Sequence, residues 1–169
     1  MIIDLESFER ELPLHIVINE DEIDLENENV KLLGDLRLDG SVLKGAASTV
    51  VRGRLTGDSE IACDRCLEQI TRDLDIEFED EFILKDVFFL DKEKELAPDD
   101  LIANEFDGRQ IDLKEIVREQ ILLDAPQQVF CEEDCKGLCQ KCGANLNLID
   151  CKCEKTEIDP RWAALKNLN

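Results

Sequence analysis

A chain of 169 residues carrying a formal charge of −21 is long enough for one ordinary domain with a small appendage. It can bury a core without staples, so its eight cysteines are not needed merely to keep it folded. No apolar stretch approaches the roughly 20 residues of a membrane helix, and Met1 to Glu6 lack a basic start followed by an apolar run, so no secretory signal is expected. The expectation is a cytoplasmic protein, where thiols stay reduced and cysteine clusters are metal sites more often than disulfide frameworks.

The charge is unevenly placed. Residues 131–169 hold 7 acidic and 6 basic side chains, whereas residues 1–130 hold 34 and 14, a balance of −20. Such a surface repels a phosphate backbone, because affinity for nucleic acid comes largely from Lys and Arg displacing counterions. A basic protein is the more natural partner, with solubility as the plain alternative.

In chain order, Leu12 to Ile18 read as a strand with Pro13 near its start, which suits an edge position. Val30, Leu32, Leu36, Leu38 and Val42 share one parity and predict a half-buried strand, with Leu33 an imperfection in it. Asp39-Gly40 and Lys44-Gly45 are turn candidates, and residues 46–56 form a further strand broken by Thr56-Gly57-Asp58. Ile70, Leu74, Ile76 and Phe78 alternate with polar residues in another. Short turns between these runs predict an antiparallel meander of five or more strands.

The charged stretch 91–100 reads as an exposed loop. The period then changes: Asp112 can cap a helix, with Glu115 three residues on in a capping-box-like pattern. Leu113, Ile116, Val117 and Ile121 share one helical face, read as the side packed on the sheet, and Pro126 stops the helix. Asp159-Pro160 opens a last short helix, Arg161 to Leu168, with Trp162 and Leu165 on one side. The fold class expected is α+β. An acidic antiparallel-sheet domain with a packed helix occupies 1–130, and a cysteine-rich zinc-knuckle tail with a short terminal helix occupies 131–169.

Six of the cysteines spell Cys131-x3-Cys135-x3-Cys139-x2-Cys142-x8-Cys151-x-Cys153. Two cysteines two residues apart can bind one ion because the turn between them points both sulfurs inward, and zinc favours four thiolates in a tetrahedron. Gly143 lets the chain turn back beneath the metal, and Gly137 loosens the approach. The first site expected is therefore Cys139, Cys142, Cys151 and Cys153. Cys63-x2-Cys66 lies apart, between two predicted strands, and counting alone offers Cys131 and Cys135 as its complement in a second site. Zinc, one or two ions, is the expected cofactor. An iron–sulfur cluster also takes four thiolates, but these spacings match neither common ferredoxin pattern.

The competing reading makes Cys63 and Cys66 a redox pair, with Arg65 between them to favour a thiolate. Redox pairs of this kind usually sit in a βαβ setting rather than a meander. His15, the sole histidine, falls in an apolar strand and reads as a packed or edge residue. No nucleophile motif, P-loop or Gly-rich dinucleotide turn is present, so neither an enzyme nor a small-molecule substrate is expected.

The tail from Cys131 through Gly137, Cys142-Gly143 and Asn147 to Cys153, followed by Ile158-Asp159-Pro160-Arg161, resembles the YceD family of bacterial proteins. Cys63-Asp64-Arg65-Cys66-Leu67 fits that family's C-x-R-C-L element, and Ile111-Asp112-Leu113 its lead into the helix. The resemblance runs from about residue 12 to the end of the chain and implies a non-enzymatic factor needed for normal 23S ribosomal RNA levels, acting in synthesis, processing or assembly of the large subunit. Family genes commonly neighbour that of a large-subunit ribosomal protein. Some relatives carry the first cysteine pair without the full tail cluster, so the destination of Cys63, Cys66, Cys131 and Cys135 stays open.

The partner expected is a basic large-subunit ribosomal protein or another assembly factor, held by the acidic domain before it reaches RNA. The alternative is ribosomal RNA itself, touched through Arg52, Arg54, Arg65 and Arg72 and, in the tail, Lys136 and Lys141. Solvated strand faces are the plain reading of the same residues.

Overall fold

The computed structural model describes residues 1–27, 29–46, 48–84 and 104–153. The charged run 91–100 and the expected helix Arg161 to Leu168 lie outside them. Eight strands and one α-helix are defined among the described residues: β1 (Ile2–Asp4), β2 (Glu11–Ile18), β3 (Val30–Leu32), β4 (Leu36–Lys44), β5 (Ser48–Ala62), β6 (Gln69–Leu84), β7 (Asn104–Phe106), β8 (Gln110–Asp112) and α1 (Leu113–Asp124). The main sheet runs β2-β4-β5-β6-β7, with β3 pairing the far part of β5, and β1 and β8 form a separate two-stranded ribbon. The architecture is α+β and mostly antiparallel.

Four sequence expectations change here. The single strand expected from Val30 to Val42 is two, because Leu33-Gly34-Asp35 form the break and Gly34 adopts a φ of 88°. The break conserves parity, so Val30, Leu32, Leu36 and Leu38 all remain buried. Asp39-Gly40 is no turn but the middle of β4, and Thr56-Gly57-Asp58 does not interrupt β5, which continues to Ala62. Finally, β6 and β7 pair in parallel, Phe82 opposite Asn104, so the sheet is mixed at that edge rather than a pure meander.

Gly40 is in mid-strand for a steric reason. It stands opposite Gly53 of β5, and a Cβ built on it would lie 2.2 Å from the Arg52 carbonyl oxygen and 2.7 Å from the Gly53 Cα. Backbone on the far side cannot yield as a side chain could. Gly40→Ala is therefore expected to destabilise the sheet by about 3 kcal/mol, the usual scale of overpacking, read as a lower urea midpoint at unchanged slope.

Burial follows the sequence periods. In β6, Leu74, Ile76 and Phe78 point inward while Asp73, Asp75, Glu77 and Glu79 are exposed. Pro13 lies in β2, at the end of the sheet order, where a missing N–H removes no ladder bond to a further strand. His15 is exposed on this edge strand, with Nδ1 2.8 Å from an Asp39 carboxylate oxygen. Asp112 caps α1 by accepting a hydrogen bond from the Lys114 amide at 2.9 Å. The helix buries Leu113, Ile116, Val117 and Ile121. Its polar side is tied down by Arg118, which reaches the Asp24 carbonyl and Glu26, and by Lys114, 2.7 Å from Glu22.

The chain divides into two compact units. Residues Met1–Ile61 and Thr71–Gln127 form the first; Ala62–Ile70 and Gln128–Asn169 form the second. The core of the first is Leu36, Leu38, Val42, Val51, Leu55, Leu113, Val117 and Ile121. The second is built on cysteines.

Candidate metal centres

The turn between β5 and β6 carries Cys63 and Cys66. Its shape is set by two bonds: the Cys63 amide donates to the Glu68 carbonyl, and the Leu67 amide donates back to the Cys63 carbonyl, both at 2.9 Å. The segment after α1 is stitched to this turn. Asp64 donates its amide to the Val129 carbonyl at 2.9 Å and accepts the Val129 amide on its carboxylate at 2.7 Å. Further along, the Leu138 amide donates to the Arg65 carbonyl at 3.0 Å. Gly137 permits that approach, since its φ is 73° and a Cβ there would lie 2.9 Å from the same oxygen. Its role is close packing in a left-handed conformation rather than the looseness expected from sequence.

These bonds bring Cys63, Cys66, Cys131 and Cys135 together, with all four sulfurs within 4.8 Å of one another. Cys63 and Cys135 Sγ atoms are 3.9 Å apart, and those of Cys66 and Cys131 are 3.5 Å apart. A tetrahedron with metal–sulfur bonds of about 2.3 Å has an edge of about 3.8 Å. The cluster therefore has the dimensions of a four-thiolate site, and all eight cysteines of the chain are free thiols. Cys63 is 0% exposed and Cys66 and Cys135 are each 5% exposed, with Ile70 and Leu138 packed against them.

Cys139, Cys142, Cys151 and Cys153 form the second group, again with sulfurs within 4.8 Å. It repeats the turn of the first: the Gly143 amide donates to the Cys139 carbonyl at 2.8 Å, as Leu67 does to Cys63. The loop closes through the Cys139 amide on the Ala144 carbonyl and the Leu146 amide on the Gly137 carbonyl. Here Cys142 is exposed. One group is enclosed and the other open to solvent.

Local hydrogen bonds tune the thiols. Burial pushes Cys63 up, but the backbone N–H groups of Cys66, Arg65 and Cys131 outweigh it and bring the thiol down to about 6. Backbone N–H groups of Cys142 and Lys141 bring Cys139 to about 6 as well. Cys135 is lowered first by the Asn147 side-chain amide, which donates to its sulfur at 3.2 Å. Hydrogen bonding to Cys135 and then Cys66 raises Cys131. Cys153 is pushed to about 12, chiefly by Cys142. Each group thus offers a ready thiolate beside thiols that hold their protons, an arrangement that can accept a cation.

Asn147 is a residue that spacing did not single out as functional. Its carbonyl oxygen accepts the Lys136 amide at 2.7 Å while its NH2 supports Cys135, so it orients a ligand from outside the sulfur cluster. Only its place four residues after Gly143, within the tail motif, marks it in the sequence.

The basic residues expected to meet RNA are differently placed. Arg54 makes a bidentate pair with Asp75, and Arg72 pairs with Asp124 at 2.7 Å while also donating to the Asp124 carbonyl. Arg65 donates to the Glu133 and Cys135 carbonyls at 3.3 and 3.0 Å, and its guanidinium lies 4.1 Å from the Phe130 ring centroid. Arg52, Lys136 and Lys141 are exposed. Arg52, Arg54 and Arg72 belong to the first unit, and Arg65, Lys136 and Lys141 to the second.

Comparison with known proteins adds to this picture. The family described as large ribosomal RNA subunit accumulation protein YceD matches residues 51–169. YlbN of Bacillus subtilis, an uncharacterised protein, is 32% identical over 149 residues, covering 84% of this chain and 82% of its own length. The chloroplastic large ribosomal RNA subunit accumulation protein YCED homolog 1 of Arabidopsis thaliana is 38% identical over 60 residues, which are 36% of this chain and 19% of the plant protein. An uncharacterised protein of Mycobacterium leprae is 26% identical over 133 residues, 79% of this chain and 58% of that protein. No solved structure matches the chain. No helix among the described residues is long and apolar enough to cross a membrane.

Proposed function

This chain belongs to the YceD family, and on that premise we propose that it is a non-enzymatic ribosome-biogenesis factor required for accumulation of large-subunit ribosomal RNA. It works in the cytoplasm by binding a basic large-subunit ribosomal protein or assembly factor. The observation that carries the partner's chemistry is the state of the charges. Residues 1–130 carry a balance of −20, and Arg54, Arg65 and Arg72, three of the cations nominated to meet RNA, are engaged within the protein. An acidic surface with its arginines so occupied attracts a cationic protein and repels a polyphosphate.

Zinc is the ion proposed for both four-cysteine groups, one in each. Four thiolates with no oxygen or nitrogen donor favour it, and in the enclosed group the sulfur separations of 3.5 and 3.9 Å fit its tetrahedron. When bound, the ion of the enclosed group would tie together segments that are far apart in sequence, and that of the tail group would close a local loop. Against the redox alternative stands the burial of Cys63, whose sulfur faces Cys135 rather than solvent.

Two measurements test the reading. Elemental analysis of protein purified without added metal is expected to give two zinc ions per chain; iron, or no metal, overturns the metal assignment. In cells, the protein is expected to co-sediment with large-subunit precursors. Its absence from those fractions, together with normal large-subunit RNA in a deletion strain, removes the functional reading.

A further inference from the structure

The two knuckles share a backbone turn but not a residue. At the position after the second cysteine, the tail knuckle has Gly143 with φ 72°, and the other knuckle has Leu67 with φ 61°. Both amides make the same bond, to the carbonyl of the first cysteine. Glycine takes this left-handed conformation freely, whereas a side chain with a Cβ is strained in it. The turn itself therefore asks for glycine, and Leu67 opposes it.

Nor does the leucine contribute to the core. The residue is 61% exposed, while Cys63 and Cys66 of the same turn are enclosed. A strained backbone that holds a large apolar side chain in water is a feature to be explained by what the side chain meets. The surroundings indicate the chemistry. Phe130, also on this unit, is 38% exposed under the Arg65 guanidinium. Exposed Glu68, Glu132 and Glu133 lie on the same two stitched segments, and the charge of Arg65 is directed at carbonyls and the Phe130 ring.

We propose that Leu67 is the apolar anchor of the docking surface for the basic protein partner, seated on the enclosed knuckle next to Glu68 and on the same unit as the exposed Glu132 and Glu133. This rests on the proposed function and names where on the chain the partner binds. The rival apolar patch, Leu148 and Ile149, lines a cavity with Lys136, Lys141 and Asp150, whose net positive side-chain charge disfavours a cationic partner.

The test uses the full chain loaded with zinc and individually purified large-subunit ribosomal proteins, with naked large-subunit RNA as a further probe. Leu67→Gly relieves the backbone, and Leu67→Asn keeps a residue that tolerates this conformation while removing the apolar surface. Both are expected to keep full metal content and an unchanged or higher melting temperature, yet to bind the basic protein at least about tenfold more weakly. Leu148→Asn is expected to bind as the native chain does. Native-like binding by both Leu67 variants overturns the anchor and leaves the function standing. Loss of metal in Leu67→Gly overturns it too, because the side chain would then serve the knuckle. A stronger loss in Leu148→Asn moves the surface elsewhere and also overturns it. A native chain that binds RNA and none of the proteins overturns both the anchor and the partner reading.

Discussion

Replacing Cys63 with serine is expected to lower bound zinc from two ions to one per chain and to unfold the metal-binding unit while leaving the sheet intact. The reason is what that unit has for a core. Its buried cluster is Cys63, Cys66 and Cys135, with Ile70, Cys131 and Leu138 partly buried against it. Two aliphatic side chains are a thin core for its described segments, 62–70 and 128–153. Metal binding is then a main source of the unit's folding free energy, as it is in small zinc domains. Sheet and helix stand on a separate core, with Leu38, Val42, Val51 and Leu55 all 0% exposed. Hydrogen exchange distinguishes the two: the Asp64 and Leu138 amides, which donate to Val129 and Arg65, lose protection, whereas amides of β4 and β5 keep theirs. Cys142→Ser, at an exposed ligand, is expected to remove the other ion and spare Asp64 and Leu138. Two ions still bound to Cys63→Ser would remove the assignment.

How far these features could be read in advance depended on whether their cause was local. The helix was legible because cap, apolar face and stop lie within fifteen consecutive positions, Asp112 to Pro126. The tail knuckle was legible because Cys139, Cys142 and Gly143 define a turn by themselves. What joins Cys63 and Cys66 to Cys131 and Cys135 is different. Stitching of Asp64 to Val129 and of Leu138 to Arg65 spans more than sixty residues, which spacing cannot encode, so only counting offered that grouping. The strands failed in a systematic way. Gly40 and Gly57 look like punctuation, but Gly40 is a contact residue, chosen because another strand's backbone passes within a Cβ radius. A glycine required across strands and a glycine required by a turn are identical in one dimension. Leu67 is the converse, a turn position needing glycine that hid behind a residue ordinarily read as core.

Proton release on metal binding should be large and should report both sites. In the folded unit before an ion binds, backbone N–H groups outweigh burial and bring the Cys63 thiol to about 6, and the Cys139 thiol reaches about 6 for the same kind of reason. Near neutral pH each group therefore presents at least one thiolate. Cys66 is raised by burial and the Cys63 sulfur, against the pull of the Glu68 backbone, and Cys131 is raised by Cys135 and Cys66; both keep their protons. In the tail, Cys151 is raised by Cys139 despite the Cys153 backbone, and Cys153 reaches about 12. A zinc ion bound by four thiolates must displace at least the two protons on the raised pair of its site. Affinity at each site is then expected to climb about a hundredfold per pH unit around neutrality. The sign in the metal-free chain follows from the lowered thiols. Each favours the folded unit at high pH, and this contribution fades as pH falls from the ordinary thiol value toward about 6, where Cys63 and Cys139 take up protons. Acid thus protonates the thiolates that would receive the ion and weakens its binding. Zinc added to metal-free protein in weak buffer with a pH indicator should liberate four or more protons per chain. A yield below two would mean that the sulfurs do not bind as fours, and both centres would have to be redrawn.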